Sequence, residues 1–426
     1  MAQPVEYSWT TIAGSAGVKG SADGTNAEAR FNFPAGIAVD GAGTLFVSDF
    51  QNHTIRKIVS VGTNWVVSTL VGQALAAGSI DGTNNEARLN RPASLALDSF
   101  GNLFWPDVFN HSIREAVPVD TNWVVRTLAG SPPTPGSSDG TNSDARFFSP
   151  TGVTVDSTGV LYVVDRNYSL IRQVTPSDTN WVVTTIAGEV RIYGGFVDGT
   201  NEVAEFRTPY CIARNNDGIL FVTDFGNHAI RQISHLGVDW VVATIANKAG
   251  AIGTNDGPAS QATFNFPIGI TADKAGVLYV ADQSNSTIRK LVPTANDWIV
   301  STVGGKALQA GTSDGTNDTA RFRNPWGVAV DHAGNLFVTD YSNHTIRKGT
   351  LLVAGTVPAL QVFRSSDHVV ISWPTSASNF VLETSATLSP GALWSLLTNG
   401  FVMSGDSFFF TNSPAGPPAF FRLRKQ

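Results

Sequence analysis

The fold is decided by the stretch Asp340-Tyr341-Ser342-Asn343-His344-Thr345-Ile346-Arg347. Earlier versions of it begin at Asp49, Asp107, Asp165, Asp224 and Asp282, so the six copies lie 58, 58, 59, 58 and 58 residues apart. A constant interval of this size indicates a repeat architecture, in which each copy is one supersecondary unit. We therefore interpret most of the chain as an array.

Each repeat contains four short apolar runs separated by turn residues. In the first repeat they cover residues 37–39, 45–48, 55–59 and 65–70, and Asp40-Gly41-Ala42-Gly43 forms a tight turn between the first two. Short strands with turn signals about every 8 to 12 residues predict one antiparallel sheet per repeat. Sheets of this kind pack face to face and close radially as a β-propeller.

The number of blades follows from a tryptophan in the fourth strand. It occurs at Trp65, Trp123, Trp181, Trp240 and Trp298 and is missing after the sixth repeat. Trp9 stands near the start of the chain with no blade before it. We predict that the N-terminal strand completes the sixth blade, with Trp9 as the missing tryptophan, because closure removes exposed sheet edges. The predicted fold is all-β, a six-bladed β-propeller closed by an N-terminal strand over residues 1–355.

The repeat ends near residue 356. Apolar runs at 368–373, 380–383, 393–396, 408–410 and 420–423 predict five or six further strands separated by prolines. They indicate a small C-terminal β-sandwich over residues 356–426, which resembles the fibronectin-type-III-like modules of secreted bacterial proteins. A domain of about 70 residues without disulfides is only marginally stable by itself, so we expect it to lean on the propeller or on another partner.

The repeat motifs resemble a known family. Pro34-Ala35-Gly36-Ile37-Ala38-Val39-Asp40 and Asn343-His344-Thr345-Ile346-Arg347-Lys348 are similar to the NHL repeat, named after an Asn-His-Leu triplet, although Thr, Ser or Ala replaces the Leu. The Asn-His pair is retained in four repeats, lost at 168–169 and half lost at 285–286. The resemblance covers residues 7 to about 355. It implies an interaction platform, while some six-bladed relatives are lyases or lactonases with a metal over the channel.

Composition excludes some classes of partner. The 426 residues carry a net charge of −6, and the longest basic cluster is Arg422-Leu423-Arg424-Lys425, so we expect no nucleic-acid partner. No apolar run reaches about 18 residues, so we expect no transmembrane segment. The single cysteine, Cys211, cannot form an intrachain disulfide and leaves the redox compartment undetermined. The start Met1-Ala2-Gln3-Pro4 fits a mature terminus after signal-peptide removal, so we expect an extracellular or periplasmic location. We also expect the protein to be a monomer.

Polar residues that recur in the repeats are interpreted as structural. Asp49 and its equivalents can bond amides of the hairpin turn and pair with Arg56 and its equivalents. Asp23-Gly24-Thr25 and its copies resemble part of a calcium loop but lack the alternating acids, so we predict turns.

The histidines of the hairpins are spread around the ring. His53, His111, His228 and His344 therefore cannot converge within the roughly 2.0 to 2.3 Å of a shared metal, and we expect each to hydrogen-bond a neighbouring blade. The Asn-x-Ser/Thr sequons at these hairpins arise from the repeat itself. We find no catalytic signature and predict no cofactor and no metal.

Candidate binding residues are those that the repeats do not share. The residue after the first-strand proline and the residue after the second-strand Asp should both point over the channel, on the face that we call the top face. These two positions supply five aromatic residues and one arginine, namely Phe50, Arg166, Tyr210, Phe225, Trp326 and Tyr341. Large aromatics with one orienting charge are typical of binding pockets. The alternative is that these side chains simply plug the channel mouth.

The fourth repeat departs furthest from the others. Tyr210-Cys211, Arg214 and the loop Arg191-Ile192-Tyr193 are peculiar to it, and the second repeat has Trp105-Pro106. We therefore expect a scaffold that recognises a protein, peptide or glycan on the top face. The alternative hypotheses are a metal-dependent lyase or lactonase-type hydrolase with its site over the channel, and a purely structural surface role, and fold alone cannot decide among them.

Overall fold

The computed structural model describes two compact units, which are Glu6–Leu351 and Leu352–Gln426. The described residues are 6–192, 194–247, 250–352, 360–365, 368–374, 380–387, 393–397, 401–404, 407–412 and 420–425. The predicted boundary at 355/356 stays a prediction, because residues 353–359 lie outside these ranges.

The first unit is a ring of six antiparallel sheets, as the sequence predicts, but each sheet has five strands instead of the predicted four. The first strands, nearest the channel, are Pro34–Val39, Ala96–Leu97, Pro150–Val155, Ile212–Arg214, Pro267–Ala272 and Pro325–Val330. The second strands are Leu45–Asp49, Leu103–Asp107, Leu161–Asp165, Leu220–Asp224, Leu278–Asp282 and Leu336–Asp340. The second strands are buried along their whole length, since both of their faces are covered by neighbouring blades.

The outer half of each blade contains the longer strands. The third strands are Thr54–Val61, Ser112–Val119, Leu170–Ser177, Ala229–Leu236, Thr287–Pro293 and Thr345–Leu352. The fourth strands are Asn64–Val71, Asn122–Ala129, Asn180–Ala187, Asp239–Ala246, Trp298–Gly304 and, in the sixth blade, Glu6–Gly14.

A fifth strand corrects one prediction. The Asp-Gly-Thr segments are not simple turns, because their last two residues pair with the fourth strand of the same blade. These outer strands are Gly24–Thr25, Gly82–Thr83, Gly140–Thr141, Gly199–Thr200, Gly257–Pro258 and Gly315–Thr316. The preceding aspartate explains their position, since the Asp23 carboxylate accepts a hydrogen bond from Arg56 at 2.7 Å and another from Thr69 at 2.9 Å.

Short 3₁₀ helices lie at two places in the repeat. After the outer strand they cover Asn26–Glu28, Asn84–Glu86, Asn142–Asp144, Asn201–Val203 and Asn317–Thr319. After the second strand they cover Val108–Asn110, Arg166–Tyr168, Phe225–Asn227, Gln283–Asn285 and Tyr341–Asn343. None of the described helical segments is long and apolar enough to span a membrane.

The N-terminal strand closes the ring, as predicted, but in a different register. Glu6–Gly14 lies between Thr345–Leu352 and Gly315–Thr316 in the sixth sheet. Trp9 pairs with Gly315, whereas in the first blade the equivalent Gly24 pairs with Val67. Tyr7, not Trp9, therefore occupies the position of the fourth-strand tryptophan, and Trp9 occupies that of the buried valine.

The fourth-strand tryptophans join neighbouring blades. Each packs edge-on against an aromatic ring in the second strand of the preceding blade, with ring centroids 5.7 to 6.4 Å apart for the pairs Trp65–Phe337, Trp123–Phe46, Trp181–Phe104, Trp240–Tyr162 and Trp298–Phe221. Tyr7 makes the equivalent contact by donating a hydrogen bond from its hydroxyl to that of Tyr279 at 3.3 Å. The N-terminal strand completes the sixth blade as predicted, and only the assignment of Trp9 was wrong, because Tyr7, two positions earlier, lies at the tryptophan position.

The second unit contains seven strands among its described residues, against five or six predicted. They are Gln361–Ser365, His368–Pro374, Phe380–Ser385, Ser395–Leu396, Phe401–Ser404, Ser407–Asn412 and Phe420–Lys425. They form one four-stranded and one three-stranded sheet, with Ile371, Trp373 and Leu382 buried. Two small sheets agree with a β module, while the fibronectin-like assignment stays a prediction.

Candidate functional site

The repeated hairpin is built around a buried aspartate. Asp49 accepts hydrogen bonds from the Asn52 amide at 2.7 Å, from Arg56 at 2.8 Å and from the backbone N–H of Asn32 at 2.7 Å. The backbone amide that binds Asp49 thus belongs to the loop before the first strand and not to the hairpin turn, which refines the predicted role of Asp49. Burial raises the pKa of Asp49 to about 6 although Arg56 lowers it, so the ion pair forms at neutral pH.

The third blade lacks part of this network. Tyr168 stands where the other blades have asparagine, so Asp165 has no side-chain amide among its partners, and its contact to Arg172 lengthens to 3.2 Å. Burial raises the pKa of Asp165 to about 7. This carboxylate is therefore less well stabilised than that of Asp49.

The four hairpin histidines bind the neighbouring blade, as predicted. The Nδ1 atoms of His53, His111, His228 and His344 each accept a hydrogen bond of 3.1 Å from a backbone N–H located 38 residues further along the ring, or across the closure for His344. Each histidine ends its turn in the left-handed region, with φ between 54° and 58°, which histidine tolerates better than most residues. Burial lowers the pKa of all four, so they act as neutral acceptors.

Four of the five hairpin sequon asparagines, all except Asn167, are held by hydrogen bonds within the hairpin. The Asn343 amide donates to Asp340 at 2.8 Å and to the Gly311 carbonyl at 2.6 Å, and its side chain is buried. Asn52, Asn110 and Asn285 make the same two contacts. These four asparagines therefore have a structural role in the repeat, as predicted.

The candidate residues converge at the mouth of the channel. Trp326 is central, with ring centroids 5.5 Å from Phe50, 4.5 Å from Tyr341 and 5.3 Å from Tyr210. Phe225 packs on Tyr210 at 5.6 Å. We call these five rings the aromatic cap.

Arg166 joins the cap through a cation–π contact. Its guanidinium carbon lies 4.9 Å from the centre of the Tyr210 ring, within the range in which such contacts are favourable. Burial raises the pKa of Tyr210, and Arg166 opposes the shift. All six predicted site residues therefore belong to one connected group.

The cap covers the mouth of the channel and also presents side chains to solvent. Phe50, Tyr210 and Trp326 are 8, 7 and 7% exposed, so three of the rings serve mainly as a plug. Phe225, Tyr341 and Arg166 are half-buried and retain accessible surface. A ligand on the top face would therefore rest on these three side chains and not enter between the rings.

Arg91 is a residue of this region that the sequence analysis missed. Its guanidinium carbon lies 5.7 Å from the centre of the Phe50 ring and 4.1 Å from that of Phe109. Arg91 also opposes the rise in the pKa of Tyr341, which burial takes to about 12. The sequence offers one signal, because Arg91 is the only arginine among the six residues that directly precede the first-strand prolines, but it does not indicate the contact with Phe50.

The channel also contains a cavity of about 220 Å³. First-strand residues of all six blades line it, including Trp326 at its upper end and Cys211. Cys211 is half-buried, and burial raises the pKa of its thiol. The peculiarities of the fourth blade therefore contribute to the channel wall through Cys211 and to the cap through Tyr210.

Other predicted peculiarities lie outside the cap. Arg214 lines the lower part of the cavity, and Arg191 forms ion pairs with Glu189 at 2.6 Å and Glu205 at 3.1 Å, while Tyr193 lies outside the described residues. Trp105 is fully buried. Within the described ranges, no three His, Cys, Asp or Glu side chains are close enough together to hold a metal ion, so the metal-dependent alternative has no candidate ligand set there.

Comparisons with known proteins agree with this geometry. The family model described as the NHL repeat matches residues 31–58, 264–291 and 322–348. The chain carries NHL repeats. These matches cover the central strands of the first, fifth and sixth blades, and the second, third and fourth blades repeat the hydrogen bond between the third-strand arginine and the second-strand aspartate.

Relatives of this chain are longer proteins. The chain is 26% identical over 338 residues to Suppressor of Quenching 1 of Arabidopsis thaliana, covering 75% of the chain and 30% of that protein. It is 27% identical over 313 residues to human NHL repeat-containing protein 2, covering 63% of the chain and 40% of that protein. The chain thus spans less than half the length of these relatives.

Solved structures share the fold. A protein of unknown function from Bacteroides thetaiotaomicron superposes with a TM-score of 0.62 at 22% identity, covering 82% of this chain and 76% of the other. An auxiliary nutrient binding protein from Bacteroides ovatus superposes with a TM-score of 0.61 at 15% identity, covering 82% and 78%. At these identities the similarity establishes the β-propeller architecture.

Proposed function

We propose that this NHL propeller is a binding scaffold that recognises a protein, peptide or glycan on its top face. The observation that carries the proposal is the convergence of residues that break the repeat. Phe50, Tyr210, Phe225, Trp326 and Tyr341 are required by no blade, yet they meet in one cluster with Arg166 beside it. A plug alone would need apolar volume and not a guanidinium held against the rings.

The proposal places the protein in an extracellular or periplasmic location as a monomer. The names of two structural neighbours, both described as auxiliary nutrient binding proteins of Bacteroides, are consistent with a binding role. The second unit would then be an accessory or anchoring module.

The experiment first identifies a ligand and then maps its binding site. Full-length protein is screened on a glycan array and against a phage-displayed peptide library, and the affinity of the best ligand is measured by calorimetry. Arg166→Gln and Tyr341→Ala are expected to weaken binding at least about tenfold, since both side chains have accessible surface. Lys274→Gln is the matched control, because this exposed residue lies on the turn between the first and second strands at the opposite end of the blade.

The outcomes separate the top face from the rest of the molecule. Loss of affinity in the two top-face variants, with the control unchanged, supports the proposal. A ligand that binds both variants as tightly as the parent protein contradicts it.

A further inference from the structure

Four arginines on the top face differ from the six inside the blades. Each buried arginine of the repeat binds two carboxylates, as Arg56 does with Asp23 and Asp49 at 2.7 and 2.8 Å. The top-face arginines are Arg91, Arg166, Arg207 and Arg323. Their guanidinium groups make no hydrogen bond and no ion pair within the described part of the chain, although Arg91 and Arg166 are half-buried.

Two of these arginines flank the centre of the cap. Arg91 lies over Phe50 and Arg166 lies over Tyr210. Phe50 and Tyr210 both contact Trp326, at 5.5 and 5.3 Å between ring centroids. The two positive charges are therefore held on two different aromatic neighbours of a single indole ring.

Carboxylates do not neutralise this surface from within the repeat. The aspartates of the hairpins and of the outer strands are already paired with the buried arginines. Glu189 and Glu205 pair with Arg191. The chain as a whole is acidic, with a net charge of −6, so the unpaired arginines create a local field of the opposite sign.

Neutral hydrogen-bonding groups accompany the charges on this face. The hydroxyl groups of Tyr210 and Tyr341 and the side-chain amide of Gln283 make no hydrogen bond to another residue in the described ranges. Gln283 occupies the position after the second-strand aspartate in the fifth blade, equivalent to Phe50 and Tyr341. Burial raises the pKa of both tyrosines, so they remain neutral donors.

We propose that the top face takes a saccharide that carries carboxylate groups. The inference rests on the proposed function and deepens it by naming the ligand chemistry. Arg91 and Arg166 would each bind a carboxylate, which the planar guanidinium can contact with two parallel hydrogen bonds. The Tyr341 hydroxyl and the Gln283 amide would bind sugar hydroxyls, and the half-buried ring of Tyr341 would pack against the sugar.

A saccharide fits this face better than an extended peptide. Peptides commonly bind by adding a strand to an exposed sheet edge. On the top face, however, backbone amides of the loop before the first strand are already used, since Asn32 N–H donates to Asp49 and Phe33 N–H donates to His344. Recognition must therefore come from side chains, and those present are arginine, tyrosine and glutamine.

The test compares three probes by isothermal titration calorimetry with the full chain. They are an oligogalacturonate of defined length, the same oligomer as its methyl ester, and a polyglutamate peptide of equal charge. We expect the free acid to bind at least about tenfold more tightly than the ester. We also expect its affinity to fall as salt rises from 50 to 500 mM, because salt screens these charges.

Substitutions locate the site. Arg91→Gln and Arg166→Gln should each weaken oligogalacturonate binding at least about tenfold, with Lys274→Gln as the control that removes one charge from the opposite face. Equal binding of the ester overturns the inference, and so does equal binding of polyglutamate. If a neutral ligand loses affinity in the Tyr341→Ala variant, the proposed function stands and only the acidic-saccharide assignment fails.

Discussion

The indole ring of Trp9 occupies the space next to Gly349 that a side chain fills in the other blades. A Cβ atom on Gly349 would lie 2.8 Å from Cη2 of Trp9, and one on Gly304 would lie 2.6 Å from Cε2. The indole Nε1 donates a hydrogen bond to the Val303 carbonyl at 3.0 Å. The equivalents of Gly349 are Ile58, Ala116, Val174, Ile233 and Leu291. One large side chain and two glycines thus complement each other at the closure.

This complementarity predicts a strong coupling between the two positions. Gly349→Ile should lower the free energy of unfolding by about 3 kcal/mol through overpacking, and Trp9→Val by about 3 to 5 kcal/mol through the cavity that it leaves. The double variant restores the pattern of the first blade and should lose at least about 1 kcal/mol less than the sum of the single changes. Urea denaturation of the four proteins measures the cycle. Strict additivity would contradict the fit.

The histidine contacts predict a specific dependence on pH. The pKa of His111 is lowered in the folded state by burial, whereas an unfolded chain has a value near about 6.5. The stability from this group is therefore complete above about pH 6.5 and is lost as pH falls through the lower folded pKa. His111→Ser introduces the residue that the third and fifth blades use. We expect the variant to be less stable than the parent at pH 7.5 and the difference to shrink at pH 5.

The comparison needs a control because buried aspartates titrate in the same range. His332→Ser changes an exposed histidine on the turn after a first strand, so its stability difference should stay small at both pH values. Thermal unfolding of the three proteins at pH 5 and 7.5 gives the answer. A constant difference between His111→Ser and the parent would show that the Nδ1 contact does not depend on protonation.

The incomplete network of the third blade predicts a stabilising substitution. The raised pKa of Asp165, about 7, means that this group binds protons more strongly when folded, so its contribution to stability decreases as pH rises from about 4 to 7. Tyr168→Asn adds the amide donor of the other blades and should lower this pKa. The expected gain is about 1 kcal/mol at pH 8 and close to zero at pH 5.

The reverse change in the first blade is the matched control. Asn52→Tyr removes the amide that donates to Asp49 at 2.7 Å and should destabilise the protein more at pH 8 than at pH 5. Denaturant titrations at the two pH values test both variants. A gain from Tyr168→Asn that is equal at pH 5 and 8 would mean that the benefit does not come from the Asp165 charge.

The cap predicts restricted access to the channel from the top. Trp326 contacts three other rings of the cap and lines the upper end of the cavity that also contains Cys211. Trp326→Ala should increase the rate at which a thiol reagent labels Cys211 by about tenfold or more, since the chain has a single cysteine. Trp298→Ala, at an outer blade contact, is the control. Unchanged labelling in Trp326→Ala would mean that reagents enter from elsewhere.

The repeat made much of this structure predictable. The constant spacing of Asp49 and its copies identified the blades, because a hairpin sequence that occurs six times forms the same local structure each time. The same reasoning anticipated the interblade contact of His344. It also identified the cap residues, since side chains at equivalent positions of a closed ring face a common axis.

Two features escaped prediction for physical reasons. Trp9 was assigned to the tryptophan position because of its residue type. Strand register, however, is set by backbone pairing. In the sequence, this register is marked only by the glycine at the end of the strand. The contact of Arg91 with Phe50 joins different blades, and no spacing within one repeat encodes it.

The closing strand has a consequence for synthesis on the ribosome. The Tyr7 N–H binds the Asn317 side chain, 310 residues later in the chain. At a translation rate of about 5 to 20 residues per second, the strand Glu6–Gly14 remains without its sheet for roughly 15 to 60 s. During that time its apolar face is available to chaperones or to other nascent chains. This strand is made before the rest of the ring and is thus among the last to find its place, and the yield of correctly folded protein should depend on how well the cell shields it.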